Sequence, residues 1–311
     1  MITPPARRFD QAAAFPELVE LRESVRAADW TAIELFFAGL PDVDMTMFAA
    51  KVVADVRDAE LFLAELPPSP LARRLLGARL ISKAWEIRTG ARAKHVSAVQ
   101  FAGMRGELVK AEPILMELTA EDPGDVVAWS FRLTSARGLG LGQSEARRRY
   151  DRLARFAPHS FAAQSQLVQQ LCPKWSGSWE ALHTFARECM DAAPLGGLSS
   201  AVVGEAHLEH FMELDGPEQT NYLREVTVQQ EIITAGEKSV LHPNFVGGYH
   251  WPRACGVFAI LFGKIGDHER AAACYRRLGD EAASEYPWEQ LYADPAAAFN
   301  SLRDKAFGGV R

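Results

Sequence analysis

The chain has 311 residues, of which 40 are acidic and 34 basic, and its formal net charge is −6. With 48% hydrophobic and 24% charged residues it has the composition of a globular chain, long enough to bury a core. An acidic chain lacks the basic footprint of a general nucleic-acid binder, and its four cysteines form no CxxC motif. Neither a membrane-spanning apolar run nor a signal-peptide core is found in the sequence, so we expect a cytoplasmic protein in a reducing compartment.

The first hundred residues predict a short lead-in followed by helices. Residues 1–14 carry no periodic apolar pattern and are expected to be flexible. Residues 15–95 predict N-terminal helical hairpins, beginning with two helices between Pro16 and Leu40. Asp29 is the expected N-cap of the second helix, because its side chain can accept a hydrogen bond from a free backbone N–H of the first turn.

Two longer helices are predicted at 44–65 and 69–89, with a firm break between them. Three prolines among residues 67–70 cannot continue a helix. Ser69 is the expected cap of the helix that follows the break.

Residues 96–235 contain a pattern that recurs at a spacing of thirty-five positions. A glycine before a helix permits a tight turn, a small residue inside the helix lets a neighbouring helix approach closely, a larger residue four places later fills the groove, and a proline ends the helix. The equivalent positions are Gly106, Ala111, Leu115 and Pro123 in the first unit and Leu141, Ala146, Tyr150 and Pro158 in the second. Further units are expected to begin at Gly177 and, near the C-terminus, at Gly266, with Ala271 and Tyr275 at the same spacing.

This skeleton resembles a set of diverged tetratricopeptide repeats, whose period is close to the one observed. The resemblance implies an all-α fold, a right-handed stack of antiparallel helical hairpins of the α-solenoid type. It also implies a concave surface that holds another protein or peptide. We therefore expect a non-catalytic scaffold or interaction protein that binds neither nucleic acid nor membrane, and we predict no cofactor.

One segment interrupts the helical pattern, at residues 236–252, where glycines and prolines alternate with aromatic residues. Long irregular segments in compact proteins are often functional. Residues 253–311 then predict a C-terminal hairpin and a capping helix that starts at Pro295. We expect all of these parts to form one continuous domain.

A second, weaker resemblance involves the segment KWSGSWE at 174–180 and the segment AHLE at 206–209. Both are similar to a bacterial helical-repeat family that reads KWGGSHE followed by AHxE and has no established activity. Ser176 and Trp179 stand where that family has Gly and His, so a His-dependent role at this position is not implied. The resemblance therefore supports the helical fold and adds nothing to mechanism.

Four residues offer an alternative function, because helix positions three apart share a face. Glu180 and His183 form one such pair, and His207 and His210 form another. Adjacent helices could join the pairs into a metal-binding cluster, as in helical bundles with carboxylate-bridged metals, with His250 nearby. The alternative is therefore a helical enzyme or a small-molecule or metal sensor, although no HExxH or GxSxG motif occurs.

Partner-binding candidates come from aromatic and basic residues, which are common at interfaces. The aromatic residues could equally pack between helices, and the arginines could equally form a solvated face paired with Glu145 and Asp151. The candidates are Trp175, Trp179, Tyr249, His250, Trp251, Arg148, Arg152 and Arg155.

Overall fold

The computed structural model describes residues 9–91, 93–279 and 284–309. These residues form α-helices and short 3₁₀ helices and contain no strand, which confirms the all-α class. None of the helices in this part of the chain has both the length and the apolar character needed to cross a membrane.

Seventeen α-helices account for most of the described residues. They are α1 (Pro16–Arg26), α2 (Trp30–Ala38), α3 (Val43–Ala54), α4 (Ala59–Leu63), α5 (Pro70–Arg88), α6 (Ala98–Glu121), α7 (Val126–Leu139), α8 (Gln143–Ala154), α9 (Phe161–Leu171), α10 (Trp179–Ala192), α11 (Val202–Glu213), α12 (Pro217–Arg224), α13 (Val226–Lys238), α14 (Trp251–Ile265), α15 (His268–Leu278), α16 (Glu285–Leu291) and α17 (Pro295–Gly309). The 3₁₀ helices are Ala93–His95, Pro173–Trp175, Leu198–Ala201 and Gly248–His250.

The chain divides into two compact units. The N-terminal unit is Glu17–Ser176, and the C-terminal unit consists of residues 177–309 together with residues 9–16. The boundary between the units falls within residues 96–235, which the sequence pattern predicted to be one continuous set of repeats.

Helix starts in the N-terminal unit follow the predicted caps. The Asp29 carboxylate accepts a hydrogen bond from the Ala32 N–H at 3.0 Å, and the Ser69 hydroxyl accepts one from the Ala72 N–H at 3.1 Å. The helix predicted at 44–65 is divided into α3 and α4, because Asp58 has a positive φ of 63° that a right-handed helix cannot include.

The repeat pattern marks buried helix faces correctly but misplaces one turn. Ala111, Ala146 and Ala271 are fully buried, as expected for small residues between packed helices. Gly106, expected before a helix, instead lies inside the 24-residue helix α6 on its exposed side. A single glycine inside a helix costs only about 1 kcal/mol, which the packing of α6 against α5 and α7 can offset.

Helix α14 is the centre of the C-terminal unit, with α11, α13, α15 and α17 packed around it. Its core residues are almost fully buried, and α13 approaches it closely because Gly236 leaves room for a ring. A Cβ atom at Gly236 would lie 2.6 Å from the Phe262 ring.

The described part of the expected lead-in, residues 9–14, is packed rather than flexible. The Phe9 ring lies 6.2 Å from the Trp288 ring, Ala12 is fully buried, and the Gln11 N–H donates to Glu285 at 3.1 Å. The burial of these apolar groups explains the order of the segment. Residues 1–8 lie outside the described residues.

The irregular segment is shorter than the expected 236–252. Helix α13 continues to Lys238 and α14 begins at Trp251, so the segment runs from 239 to 250. It is tied down by backbone hydrogen bonds around Gly196, which donates to Lys238 at 2.8 Å and accepts from Val246 at 3.0 Å.

Candidate metal centre

Four consecutive helices of the C-terminal unit bring polar side chains into one cluster. His183 lies on α10, His207 and His210 lie on α11, Tyr222 on α12 and Glu231 on α13. His207 and His210 share a face of α11, as the i, i+3 spacing predicted. The packing of α10, α12 and α13 against α11 supplies the other three groups.

Three of these side chains form a possible ligand set for a metal ion. One ligand atom each from His183, His207 and Glu231 lies within 4.8 Å of the other two. Two imidazoles and one carboxylate suit divalent transition metals, and three protein ligands leave further coordination positions open. Donors bound at about 2.1 Å lie about 3–3.5 Å apart, and His207 Nε2 and Glu231 Oε2 are already 3.1 Å apart.

His207 uses both ring nitrogens, and one assignment of protons satisfies all its contacts. Its Nε2 lies 3.1 Å from the Glu231 carboxylate, and its Nδ1 lies 2.6 Å from the Tyr222 hydroxyl. Because a carboxylate only accepts, His207 Nε2–H donates to Glu231, and when the ring is neutral its Nδ1 accepts from the Tyr222 O–H.

His183 and His210 complete the cluster on the other side. His183 Nε2 lies 3.0 Å from His210 Nδ1 and 3.4 Å from the Tyr222 hydroxyl oxygen. The Trp179 indole stacks on the His210 ring, with centroids 4.1 Å apart and an angle of 10° between the planes. Trp179 is the first residue of α10, whose N-terminus is capped by the Ser178 hydroxyl.

Burial sets the charge of the cluster. It lowers the pKa of His183 to about 3, with the nearby His207 and His210 adding to the effect, and it lowers the pKa of His210 to about 4. Burial raises the pKa of Tyr222 above its usual value. The hydrogen bond from His207 lowers the pKa of Glu231, so at neutral pH this carboxylate is ionised, whereas His183 and His210 are neutral.

The ligand set differs from the set drawn from the sequence at two residues, because neither Glu180 nor His210 belongs to it. His210 contacts His183 beside the set. Glu180 lies on α10 but is exposed and outside the cluster, and Glu231 supplies the carboxylate instead. Arg187 fixes that carboxylate by donating to its second oxygen, Oε1, at 3.2 Å. The sequence of α13 contains no histidine, so no ligand spacing within this helix marked Glu231.

The other aromatic candidates have packing contacts. Tyr249 and His250 are 4% and 8% exposed, which favours the packing alternative at these two positions. The Tyr249 ring meets Phe15 edge to face at 4.7 Å. In the N-terminal unit, Trp175 is half-buried against Trp85, with centroids 5.8 Å apart. Trp251 is half-buried at the start of α14.

The basic candidates lie on the exposed side of α8 and just beyond its end. Arg148, Arg152 and Arg155 are exposed, and Arg148 is paired with Glu145 at 2.7 Å. Their neighbour Arg149 points inward and pairs with the buried Glu112 at 2.7 Å.

Comparison of this chain with protein-family models, with curated proteins and with solved structures found no match. The likeness to tetratricopeptide repeats therefore rests on the sequence pattern alone.

Proposed function

We propose that the C-terminal unit binds one divalent transition-metal ion through His183, His207 and Glu231. The observation that carries the proposal is the convergence of one ligand atom from each of these residues within 4.8 Å. The three come from three different helices, so the rigid packing of the unit positions the set before any ion arrives.

The proton network around the ligands is suited to metal binding. A ligand nitrogen must give up its proton, so His207 would carry its proton on Nδ1 and donate it to Tyr222. The existing 2.6 Å contact between these two atoms allows this change, because a tyrosine hydroxyl can accept as well as donate. Tyr222 thus holds the His207 ring in place in both protonation patterns.

The proposed role is that of a metal-dependent enzyme or sensor for a small molecule. Three protein ligands leave coordination positions where such a molecule can bind. His210 Nδ1 lies 3.0 Å from His183 Nε2, so His210 can hydrogen-bond or exchange a proton with a group at an open position.

Metal titration of chelator-treated protein tests the proposal. Cobalt(II) reports coordination through its visible spectrum, and zinc, iron and manganese content is measured after dialysis. We expect one ion per chain in the wild type and a loss of binding in His207→Ala and Glu231→Gln.

Two matched controls separate the cluster from surface binding. Glu180→Gln removes an exposed carboxylate on α10, and His95→Ala removes an exposed histidine of the N-terminal unit. Both should bind metal as the wild type does. Wild-type protein without stoichiometric metal, or equal binding by Glu231→Gln and Glu180→Gln, would contradict the proposal.

A second candidate function is protein binding by the N-terminal unit, as the repeat pattern predicted for a stack of hairpins. The supporting observation is an apolar stripe on α6, where Val109 and Met116 are 53% and 50% exposed. Val109→Lys should reduce capture of a protein partner from a cell lysate without lowering stability. Equal capture by wild type and variant would contradict this function.

A further inference from the structure

A second feature of the C-terminal unit is an open pocket of about 440 Å³. It lies where α11, α12 and α13 meet the end of α14, and its volume is within the range of small-molecule sites. It is distinct from the metal centre, because none of the cluster residues lines it.

The pocket has two cations and no matching acid. Lys264 and Arg224 line it, and none of the other described residues that line it carries a carboxylate. Neither cation forms an ion pair with any described residue. The Lys264 ammonium lies 4.5 Å from the centroid of the Phe211 ring, which forms an apolar part of the wall.

Two glutamines each cover a backbone carbonyl near the end of a helix at the pocket. The Gln219 side-chain amide donates to the Phe211 carbonyl at 3.2 Å, near the end of α11. The Gln229 amide donates to the Leu223 carbonyl at 2.8 Å, near the end of α12. These two carbonyls are therefore hydrogen-bonded and repel an anion in the pocket less than free carbonyls would.

Lys264 has no acidic side chain that would raise its pKa; the groups packed around it lower that pKa from the ordinary value. The residue is nevertheless exposed, so an anion in the open pocket can reach its ammonium.

We propose that this pocket binds a small organic anion, with its carboxylate or phosphate between Lys264 and Arg224. The apolar part of the ligand lies on Phe211 and Leu223, which line the same pocket. The binding does not require a metal at the histidine cluster, so this inference stands apart from the proposed function.

Calorimetric titration with benzoate and phenyl phosphate tests the pocket, using chelator-treated full-length protein. The two probes share an apolar ring and differ in the acid group, so they distinguish a carboxylate ligand from a phosphate ligand. We expect at least one to bind in a salt-dependent way, and neutral benzyl alcohol to bind at least about tenfold more weakly, since a charge-assisted hydrogen bond carries that much.

Lys264→Met and Arg224→Met identify the anion-binding groups. Methionine keeps an apolar stem against Phe211 and removes only the charge, so each variant should fold and lose about tenfold or more in affinity. Lys238→Met is the control, because Lys238 lies on α13 outside the pocket. The proposal is overturned if the wild type binds neither probe, if benzyl alcohol binds as well, or if Lys264→Met binds like Lys238→Met.

Discussion

Arg79→Met in the N-terminal unit probes a buried ionic network. Arg79 is 2% exposed and connects three helices. Its guanidinium donates to Glu60 on α4 at 2.8 Å, to Glu86 on α5 at 2.6 Å and to the Ala54 carbonyl at the end of α3 at 2.7 Å. Methionine fills much of the same volume but supplies none of these donors.

The expected loss of stability follows from what the substitution leaves behind. Breaking a buried ion pair costs about 3–5 kcal/mol because the remaining charge stays desolvated. Glu60 keeps its ion pair with Lys83 at 2.8 Å, and Glu86 is 36% exposed and can regain water, so we expect the low end, about 3 kcal/mol. The Ala54 carbonyl at the end of α3 also loses its donor.

Hydrogen exchange followed by mass spectrometry measures this loss of stability helix by helix. About 3 kcal/mol corresponds to about a 100-fold rise in the opening equilibrium of amides in α3, α4 and α5. Arg26→Met is the control, since it breaks only the exposed pair with Glu23 and should cost under about 1 kcal/mol. If the two variants raise exchange in α3–α5 by the same small amount, the network does not stabilise the unit by about 3 kcal/mol.

Two further perturbations test other parts of the fold. Burial alone would raise the pKa of Glu60, but hydrogen bonds from neighbouring cations lower it to about 2. This carboxylate therefore stabilises the fold above its unfolded pKa near 4.5 and loses that effect as the pH falls toward 2. Glu60→Gln should flatten the fall of the urea midpoint between pH 5 and pH 2, and an unchanged slope would refute the assignment. Gly196→Ala should lower the melting temperature more than Gly216→Ala, because both glycines have positive φ but only at Gly196 would a Cβ meet a backbone atom, the Asn244 oxygen at 2.5 Å. Equal shifts would mean that the backbone strain, of order 1–3 kcal/mol, is the whole effect.

The packing of residues 9–14 shows that a segment without a periodic apolar pattern can still be packed against the fold. Residues 9–14 have no helical period, and the sequence therefore predicted flexibility. In the fold Phe9 reaches Trp288, nearly three hundred positions later. A single aromatic ring in an apolar site can order a segment that has no regular structure of its own. Such a long-range contact cannot be predicted from the residues of the segment alone.

Local chemistry is what the sequence determined by itself. Two examples are the helix caps at Asp29 and Ser69 and the proline break between α4 and α5. These features depend on hydrogen bonds and steric contacts within about four residues, so the local sequence is sufficient to predict them. The same holds for the pairing of His207 and His210 on one face of α11, because the helix repeat fixes it.

The proposed ligand set was decided only by the tertiary structure. Glu180 shares a helix face with His183 by spacing, yet the packing of α13 against α11 brings Glu231 to His207 and leaves Glu180 exposed. Which helix faces meet depends on the burial of apolar stripes across the whole unit, a balance summed over many contacts between residues distant in the chain. Spacing along one helix therefore names possible ligands, and only packing between helices selects among them.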